Sequence, residues 1–222
     1  MAVEHVAVIG ATGDEGFGLA QRWAKAGIEI VIGSRDESRA AEAAERLRAT
    51  VPTASCRGLE NPAAAASSDL VVVTVPFQGQ AAVYRSISEH VRDGAVVVDC
   101  SVPVAAAVGS RATQVLGVWA GSAAQHAASF LPRGTRVCAA FHSLAAVALH
   151  EVDTEMEGDV LVCGPKAAKP LIRELVEAIP GLRFVDAGPL DNARIVEPIT
   201  ALLIGINHRY KTDRAGIRIT GI

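Results

Sequence analysis

Five short runs rich in Val and Ile recur along the chain, and segments with helical spacing separate the first four of them. The runs are HVAVIG (5–10), EIVIGS (29–34), DLVVVTVP (69–76), GAVVVDCS (94–101) and RVCAAF (136–141). The helical spacing covers 17–25, 37–47 and 80–91. Strands that are apolar on both faces are typical of a parallel sheet with helices on either side. The alternation therefore predicts an α/β fold with a doubly wound parallel sheet.

The alternation stops at an Ala-rich insert, 104–132, whose second half predicts a helix before the strand at 136. Beyond His142 the pattern changes to a strand at 159–164, a helix at 166–178, a strand at 182–188 and a long apolar helix from 193 to about 209. We therefore expect two closely packed domains: residues 1–143 with the parallel sheet, and residues 144–222 as a smaller α/β domain.

The first apolar run leads into AVIGATGDEGFGLA (7–20), in which Gly10, Gly13 and Gly16 fall between a strand and a helix. Glycines here let main-chain N–H groups approach an anion at a helix N-terminus, which is how a diphosphate is held. The spacing G-x-x-G-x-x-G, with Thr12 near its centre, is a weak signal unless strand and helix flank it. We expect Asp14 and Glu15 to act as first-turn residues, pointing to solvent while their N–H groups point inward.

The end of the second strand indicates which dinucleotide this loop would bind. A carboxylate at this position selects NAD, whereas NADP needs cations and hydroxyls for its 2′-phosphate. The strand ends in Ser34 and Arg35, about 24 residues after Gly10, near the usual offset of about 20, and Arg39 follows one helical turn later. These residues favour NADP. The alternative is that both arginines are solvated and Asp36 only caps the next helix.

Composition narrows the classes of partner. The chain has 222 residues, 50% apolar and 20% charged, with a net charge of −3, so we expect neither nucleic acid nor an acidic membrane surface as a partner. No apolar stretch reaches bilayer length. Four dispersed cysteines and the lack of clustered histidines argue against a disulfide framework and a metal site. We expect a cytoplasmic protein whose cysteines are small core residues.

Seven short motifs together point to one family. They are GATGDEG (10–16), IGSR (32–35), TVPF (74–77), VPV (102–104), FHS (141–143), VCG (162–164) and DAGPLDNAR (186–194). In register over nearly the whole chain, they resemble the NADP oxidoreductases that use the 5-deazaflavin coenzyme F420. The resemblance implies reversible hydride transfer between these two small-molecule cofactors. It also implies a Rossmann domain with a small C-terminal domain, and a homodimer.

The resemblance also implies roles for individual residues. The diphosphate would be lined by Thr12, Gly13, Asp14 and Glu15, and the 2′-phosphate by Ser34, Arg35 and Arg39. The ribose and nicotinamide would be lined by Val75 and Pro76. The deazaflavin would lie near His142, Ser143 and Leu144, with Asn192, Arg194 and the final residues on its other side. Hydride transfer between stacked rings depends on positioning, so no catalytic acid, base or metal is obligatory.

Alternatives remain open at this point. His142 either positions the deazaflavin or a water, or is a satisfied histidine at a strand end. An NADP-dependent imine or hydroxyacid reductase would need a Lys or His acid at the substrate. A non-enzymatic NADPH-binding sensor would need the nucleotide site alone. We expect Trp23 and Trp119 to pack in the core or at an interface.

Overall fold

A computed structural model describes residues 3–222, and the order of its elements follows the alternation in the sequence. The strands are β1 (His5–Ile9), β2 (Glu29–Ser34), β3 (Cys56–Glu60), β4 (Leu70–Val73), β5 (Val96–Asp99), β6 (Arg136–Ala139), β7 (Gly158–Val162) and β8 (Leu182–Asp186). The helices are α1 (Asp14–Lys25), α2 (Glu37–Thr50), α3 (Asn61–Ser67), α4 (Phe77–Ile87), α5 (Ala123–Ala128), α6 (Ala146–His150), α7 (Lys169–Glu177), α8 (Ala193–Val196) and α9 (Ile199–Tyr210). Two 3-10 turns lie at Ala105–Val108 and Leu190–Asn192.

The six strands β1 to β6 form one parallel sheet in the order β3-β2-β1-β4-β5-β6. Ala7 of β1 pairs with Val31 of β2 on one side and with Val71 of β4 on the other. The strand order therefore reverses between β1 and β4, which is the point where ligands bind in sheets of this kind. The predicted doubly wound parallel sheet is confirmed, and its topology is that of a Rossmann domain.

Both faces of this sheet are buried, which explains why its strands carry so few polar residues. Val6 and Val8 of β1 belong to a core that includes Trp23, whereas Ala7 and Ile9 belong to a second core on the opposite face. Because successive side chains of a strand point to opposite faces, a strand covered on both sides has to be apolar at every position.

Residues beyond β6 form a two-stranded parallel sheet, β7–β8, that packs directly against the first part of the chain. Trp23 of α1 is fully buried, and its indole N–H donates to the Leu175 carbonyl of α7 at 2.8 Å. One continuous core includes residues from both sides of position 143, among them Phe141 and Leu149. The division into domains at residues 143 and 144 stays a prediction.

The structure differs from the expected elements in several places. Strand β3 and helices α3 and α6 are not predicted by the sequence; β3 is a half-buried edge strand with charges at Arg57 and Glu60, so it lacks the apolar pattern of the others. The insert forms only the six-residue α5 and a 3-10 turn. The expected helix from 193 is divided, because Pro198 separates α8 from α9 and supplies no N–H for a continuous helix.

Candidate functional site

A cleft of about 1050 Å³ opens at the carboxyl edge of the main sheet, where the segments after β1, β4, β5 and β6 converge. Twelve of the sixteen residues predicted for the cofactors line it. They are Gly10, Thr12, Gly13, Asp14, Glu15, Ser34, Arg35, Arg39, Val75, Pro76, His142 and Leu144. The cleft has the size and the edge position expected for an extended cofactor.

The three loop glycines have different structural roles. Gly10 has φ +96°, and a Cβ there would lie 2.9 Å from Thr74 Oγ1. A Cβ on Gly16 would come within 2.9 Å of Ala11 Cα and closer still to Thr74 Oγ1, so this position holds α1 against β4, and Gly16 does not line the cleft. Gly13 has φ −94°, and its nearest contact would be Gly10 O at 3.5 Å. Of the three loop glycines, only Gly13 leaves open space on the side of the loop that faces the cleft.

Helix α1 begins at this loop without a side-chain cap. Its first N–H groups therefore face the cleft edge with the positive end of the helix dipole behind them. This cradle, which a side chain at Gly13 would fill, fits a diphosphate.

The two acidic residues of the first turn behave differently. Asp14 is exposed, as expected. Glu15 does not point to solvent as expected: the residue is half-buried, and its Oε1 is buried without a hydrogen-bond partner among residues 3–222. Burial, with a smaller effect of Asp99, raises the pKa of Glu15 to about 8. Asp99 at the end of β5 and Cys100 directly after it are near enough for their charged forms to interact with that of Glu15.

The end of β2 forms the basic end of the cleft. Arg35 and Arg39 are exposed, and within residues 3–222 neither takes part in a salt bridge. Asp36 caps α2, since its Oδ1 accepts from the Ser38 N–H at 2.9 Å and the Arg39 N–H at 3.3 Å. Hydrogen bonds from Ser38 and the Arg39 main chain lower the pKa of Asp36. The Asp36 carboxylate is thus engaged in capping α2, and the guanidinium groups of Arg35 and Arg39 are available to bind a phosphate.

Behind the opposite end of the cleft lies a buried carboxylate at the end of β5. Asp99 Oδ2 accepts from Tyr84 Oη at 2.8 Å and Gln80 Nε2 at 3.1 Å, and Oδ1 accepts from the Ser101 N–H at 3.0 Å. Ser101 Oγ also lies 3.1 Å from the Val75 carbonyl. Burial raises the pKa of Asp99 to about 6, against the opposing effect of these donors. The network fixes the cleft wall formed by β4 and β5.

His142 follows β6 and lines the same end of the cleft. The residue is 6% exposed, and neither ring nitrogen has a hydrogen-bond partner among the described residues. Burial outweighs the opposing main chain of Asp99 and lowers the pKa of His142 to about 4, so the imidazole is neutral. The preceding residue, Phe141, has φ +70°, and Thr200 Oγ1 donates to the His142 carbonyl at 2.7 Å. The geometry does not show a satisfied histidine; it offers an unpaired imidazole to the cleft.

Three residues predicted for the deazaflavin lie elsewhere. Ser143 lines a neighbouring cavity of about 420 Å³ formed with the C-terminal segment 214–218, and Leu144 lines both cavities. Asn192 Nδ2 donates to the Ala187 carbonyl at 2.7 Å, which closes its own turn. Arg194 is exposed on α8. The structure does not bring Asn192 or Arg194 to either cavity, because the turn before α8 packs against α5 and β6.

Sequence reasoning missed several residues that line the cleft. Thr200 and Ile204 of α9 line the cleft where Asn192 and Arg194 were expected. Cys100 and Ser101, which follow β5, line it as well. The run VVVD ending at Asp99 carries a usable signal, since an acid directly after a buried parallel strand lies at the ligand-binding edge. Nothing in the local pattern around α9 indicates which of its faces meets the cleft.

In the part of the chain that the structure describes, no three His, Cys, Asp or Glu side chains are grouped to hold a metal ion. The helices within residues 3–222 include none with both the length and the apolar composition needed to cross a bilayer.

A doubly wound sheet, with a glycine loop and a long cleft at the point where its strand order reverses, defines the dinucleotide-binding class of α/β proteins. Comparison with known proteins narrows the class. Residues 5–103 match the family described as NADP oxidoreductase coenzyme F420-dependent. The F420-dependent NADP reductase of Methanothermobacter thermautotrophicus is 46% identical over 99% of this chain and 96% of its own. That of Methanothermobacter marburgensis is 41% identical over 98% of both chains.

The chain belongs to the family of F420-dependent NADP reductases. A crystal structure from Arthrobacter sp. FB24, named as a candidate F420-dependent NADP reductase, covers 97% of this chain and 99% of its own with a TM-score of 0.83. At 21% identity that structure supports the fold alone. The similarity to F420-dependent NADP reductases extends over nearly the whole chain, so it does not favour the alternative functions, an imine or hydroxyacid reductase or a non-enzymatic NADPH-binding sensor.

Proposed function

We propose that the protein transfers a hydride reversibly between NADP(H) and the 5-deazaflavin coenzyme F420. The observation that carries the proposal is the single cleft that runs from Arg35 past Gly13 to His142 in a chain of this family. Bound together, the two coenzymes supply the carbons that give and accept the hydride; the protein supplies orientation and excludes water.

At one end of the cleft, Ser34, Arg35 and Arg39 hold the 2′-phosphate of NADP. Both guanidinium groups are free of salt bridges within the described residues, and Asp36 is engaged as a helix cap, so both cations are available to a phosphate. A guanidinium makes paired, charge-assisted hydrogen bonds with phosphate oxygens. Asp36, the acid that follows Arg35 here, does not line the cleft, and its Oδ1 accepts from N–H groups of α2 instead of a ribose hydroxyl.

In the middle, Thr12, Gly13, Asp14 and Glu15 line the diphosphate at the start of α1. The Gly13 N–H donates to the Gly10 carbonyl at 2.9 Å, so the first-turn N–H groups of Asp14 and Glu15 are the donors and Gly13 supplies the open space. At the far end, Val75 and Pro76 contact the ribose and nicotinamide. Ser101 Oγ donates to the Val75 carbonyl, which holds this part of the backbone in place. His142 and Leu144 face the deazaflavin side of the cleft. There the neutral imidazole orients the deazaflavin, or a water beside it, by one hydrogen bond and does not transfer a proton. Residues 1–143 thus hold NADP, and residues 144–222 close the deazaflavin side.

Direct hydride transfer gives the test. NADPH deuterated on the transferred face should deliver its label to the deazaflavin in ordinary water, while the deazaflavin absorbance falls. Label lost to solvent, or no reaction with any deazaflavin despite tight NADPH binding, would overturn the proposal and favour a binding protein. His142→Ala should slow the transfer without abolishing it, and a loss beyond about 10⁴-fold would show that His142 does more than position the ring.

The assembly and location are also proposals. Large apolar side chains are exposed at Val108, Trp119, Ile195 and Leu202, which supports a homodimer. All four cysteines are free, which supports a reducing, cytoplasmic compartment. Sedimentation at micromolar concentration should give twice the 23.0 kDa chain mass. That nucleic acid and membranes are not partners stays a prediction, which vesicle and oligonucleotide pull-downs at low salt would check.

A further inference from the structure

The proposed site contains a side chain that none of the roles above uses. Glu15 stands at the start of α1 and lines the cleft, yet its Oε1 is buried and receives no hydrogen bond from residues 3–222. The residue is half-buried, so the burial concerns this one oxygen. A charged carboxylate with an oxygen buried without a donor is disfavoured, whereas a carboxylic acid tolerates the same place because it carries no charge.

A second buried carboxyl shows which of the two carries the charge. Asp99 lies close enough beneath Glu15 for their charges to interact, and it receives hydrogen bonds from Tyr84, Gln80 and Ser101. When two carboxyls interact and only one has donors, the one with donors ionises and the other keeps its proton. This geometry makes Asp99 the carboxylate and Glu15 the acid.

The remaining charged and titratable groups around Glu15 do not change this assignment. Asp14, its neighbour on α1, is exposed and acidic. Cys100 directly after β5 and His142 after β6 are buried, and burial keeps the thiol protonated and the imidazole uncharged near neutral pH. Arg35 and Arg39 are the cations among the described cleft residues, and they lie at the exposed end formed by β2 and α2. A bound diphosphate adds further negative charge at the glycine loop.

We propose that Glu15 serves the cleft as a neutral carboxylic acid, and that the nicotinamide dinucleotide binds to the form of the protein that carries this proton. The inference rests on the proposed function, because it concerns the same cofactor. A protonated carboxyl can donate one hydrogen bond to a cofactor oxygen, whereas a carboxylate can only accept and repels the diphosphate. Glu15 is therefore a positioning residue whose proton selects for an anionic, acceptor-rich ligand.

The consequence is a defined pH dependence of binding. Burial and, secondarily, Asp99 raise the pKa of Glu15 to about 8. If only the protonated form binds, the Kd for NADPH is constant well below that pH and rises about tenfold for each pH unit above it. At pH 9 the wild-type Kd should be about tenfold higher than at pH 7. The second ionisation of a phosphate ester, near pH 6, lies below this range.

The test is a set of NADPH fluorescence titrations between pH 7 and 9.5. Glu15→Gln keeps the shape and removes the ionisation, so its Kd should stay flat and at pH 9 should be about tenfold lower than that of the wild type. Asp14→Asn is the matched control on the next residue: it should keep the wild-type slope whatever its absolute affinity. A wild-type Kd that is flat with pH, or a slope that persists in Glu15→Gln, overturns the proposal.

A second measurement does not depend on activity. Infrared spectra of the wild-type protein should show the carbonyl stretch of protonated carboxyls disappearing as the pH is raised from 7 to 9.5. Burial raises the pKa of Glu197 to about 7, so the Glu197 contribution remains in both proteins, and Glu15→Gln should lack only the component that titrates near pH 8. A wild-type change identical to that of Glu15→Gln contradicts the inference. NADPH that fails to bind at pH 7 would instead refute the proposed function, so the two failures are distinguishable.

Discussion

Gly13 separates the ligand-binding role of the glycine loop from its structural role. In Gly13→Val the new Cβ meets only Gly10 O at 3.5 Å, and φ −94° suits any residue. The cost of a poorer N-cap is partly offset by the lower entropy of the unfolded chain, so stability should change by less than about 1 kcal/mol, or about 4 °C in Tm. The isopropyl group would instead occupy the diphosphate cradle. Loss of two N–H bonds to phosphate costs about 3 kcal/mol, which raises the Kd more than a hundredfold.

The matched control is Gly16→Ala, three residues along the same loop. Its Cβ would lie 2.9 Å from Ala11 Cα and closer to Thr74, so α1 has to shift. We expect a loss of about 1–3 kcal/mol, or about 3–10 °C in Tm. Thermal unfolding by circular dichroism and NADPH fluorescence titration measure both variants. Wild-type NADPH affinity in Gly13→Val, or a Tm loss matching that of Gly16→Ala, would refute the argument.

Three further predictions address selectivity, packing and pH. Arg35→Ala should weaken NADP binding about ten- to hundredfold and leave NAD binding nearly unchanged, because it removes a charge-assisted phosphate contact; competition titrations would contradict this if both weakened equally. Trp23→Phe leaves a buried carbonyl of α7 without its donor at 2.8 Å, so urea unfolding should show a loss of at least about 1–3 kcal/mol. Glu15, Asp99 and Glu197 hold their protons more tightly folded than unfolded, with pKa values raised to about 8, 6 and 7 mainly by burial. The folded state therefore binds more protons, and Tm should fall as pH rises from 5 to 8; a rising Tm would contradict this.

The parts of the fold that the sequence predicted are those set by local pattern. Each of β1, β2, β4, β5 and β6 is a continuous apolar run, because both of its faces are covered. Strand β3 lacks this pattern because only one edge is paired and its surroundings are half exposed. The sequence also placed the glycines and the two arginines of the cleft, since their spacing from the strand ends follows from backbone geometry.

The buried polar residues could not be predicted in the same way. Whether Glu15 points outward or inward depends on what β5 places beneath α1, and nothing in GATGDEG records that. Asn192 and Arg194 are expected at the cleft only because the family resemblance implies it. Their actual place is set by the packing of α8 against α5, which is a tertiary contact without a local signature.

The position of His142 shows how the two parts of the chain share the site. Phe141 takes φ +70°, a costly conformation for a bulky residue, and its ring is fully buried against Trp23 at 5.5 Å. Packing thus forces the turn that directs the next residue into the cleft. From the other side, α9 fixes the same residue through Thr200, at 2.7 Å from its carbonyl. Arg22 of α1 holds the following segment by donating to the Leu149 carbonyl at 2.9 Å. The imidazole is therefore positioned jointly by α1 and by the C-terminal helices, so we expect a change in their packing to alter the His142 end of the cleft.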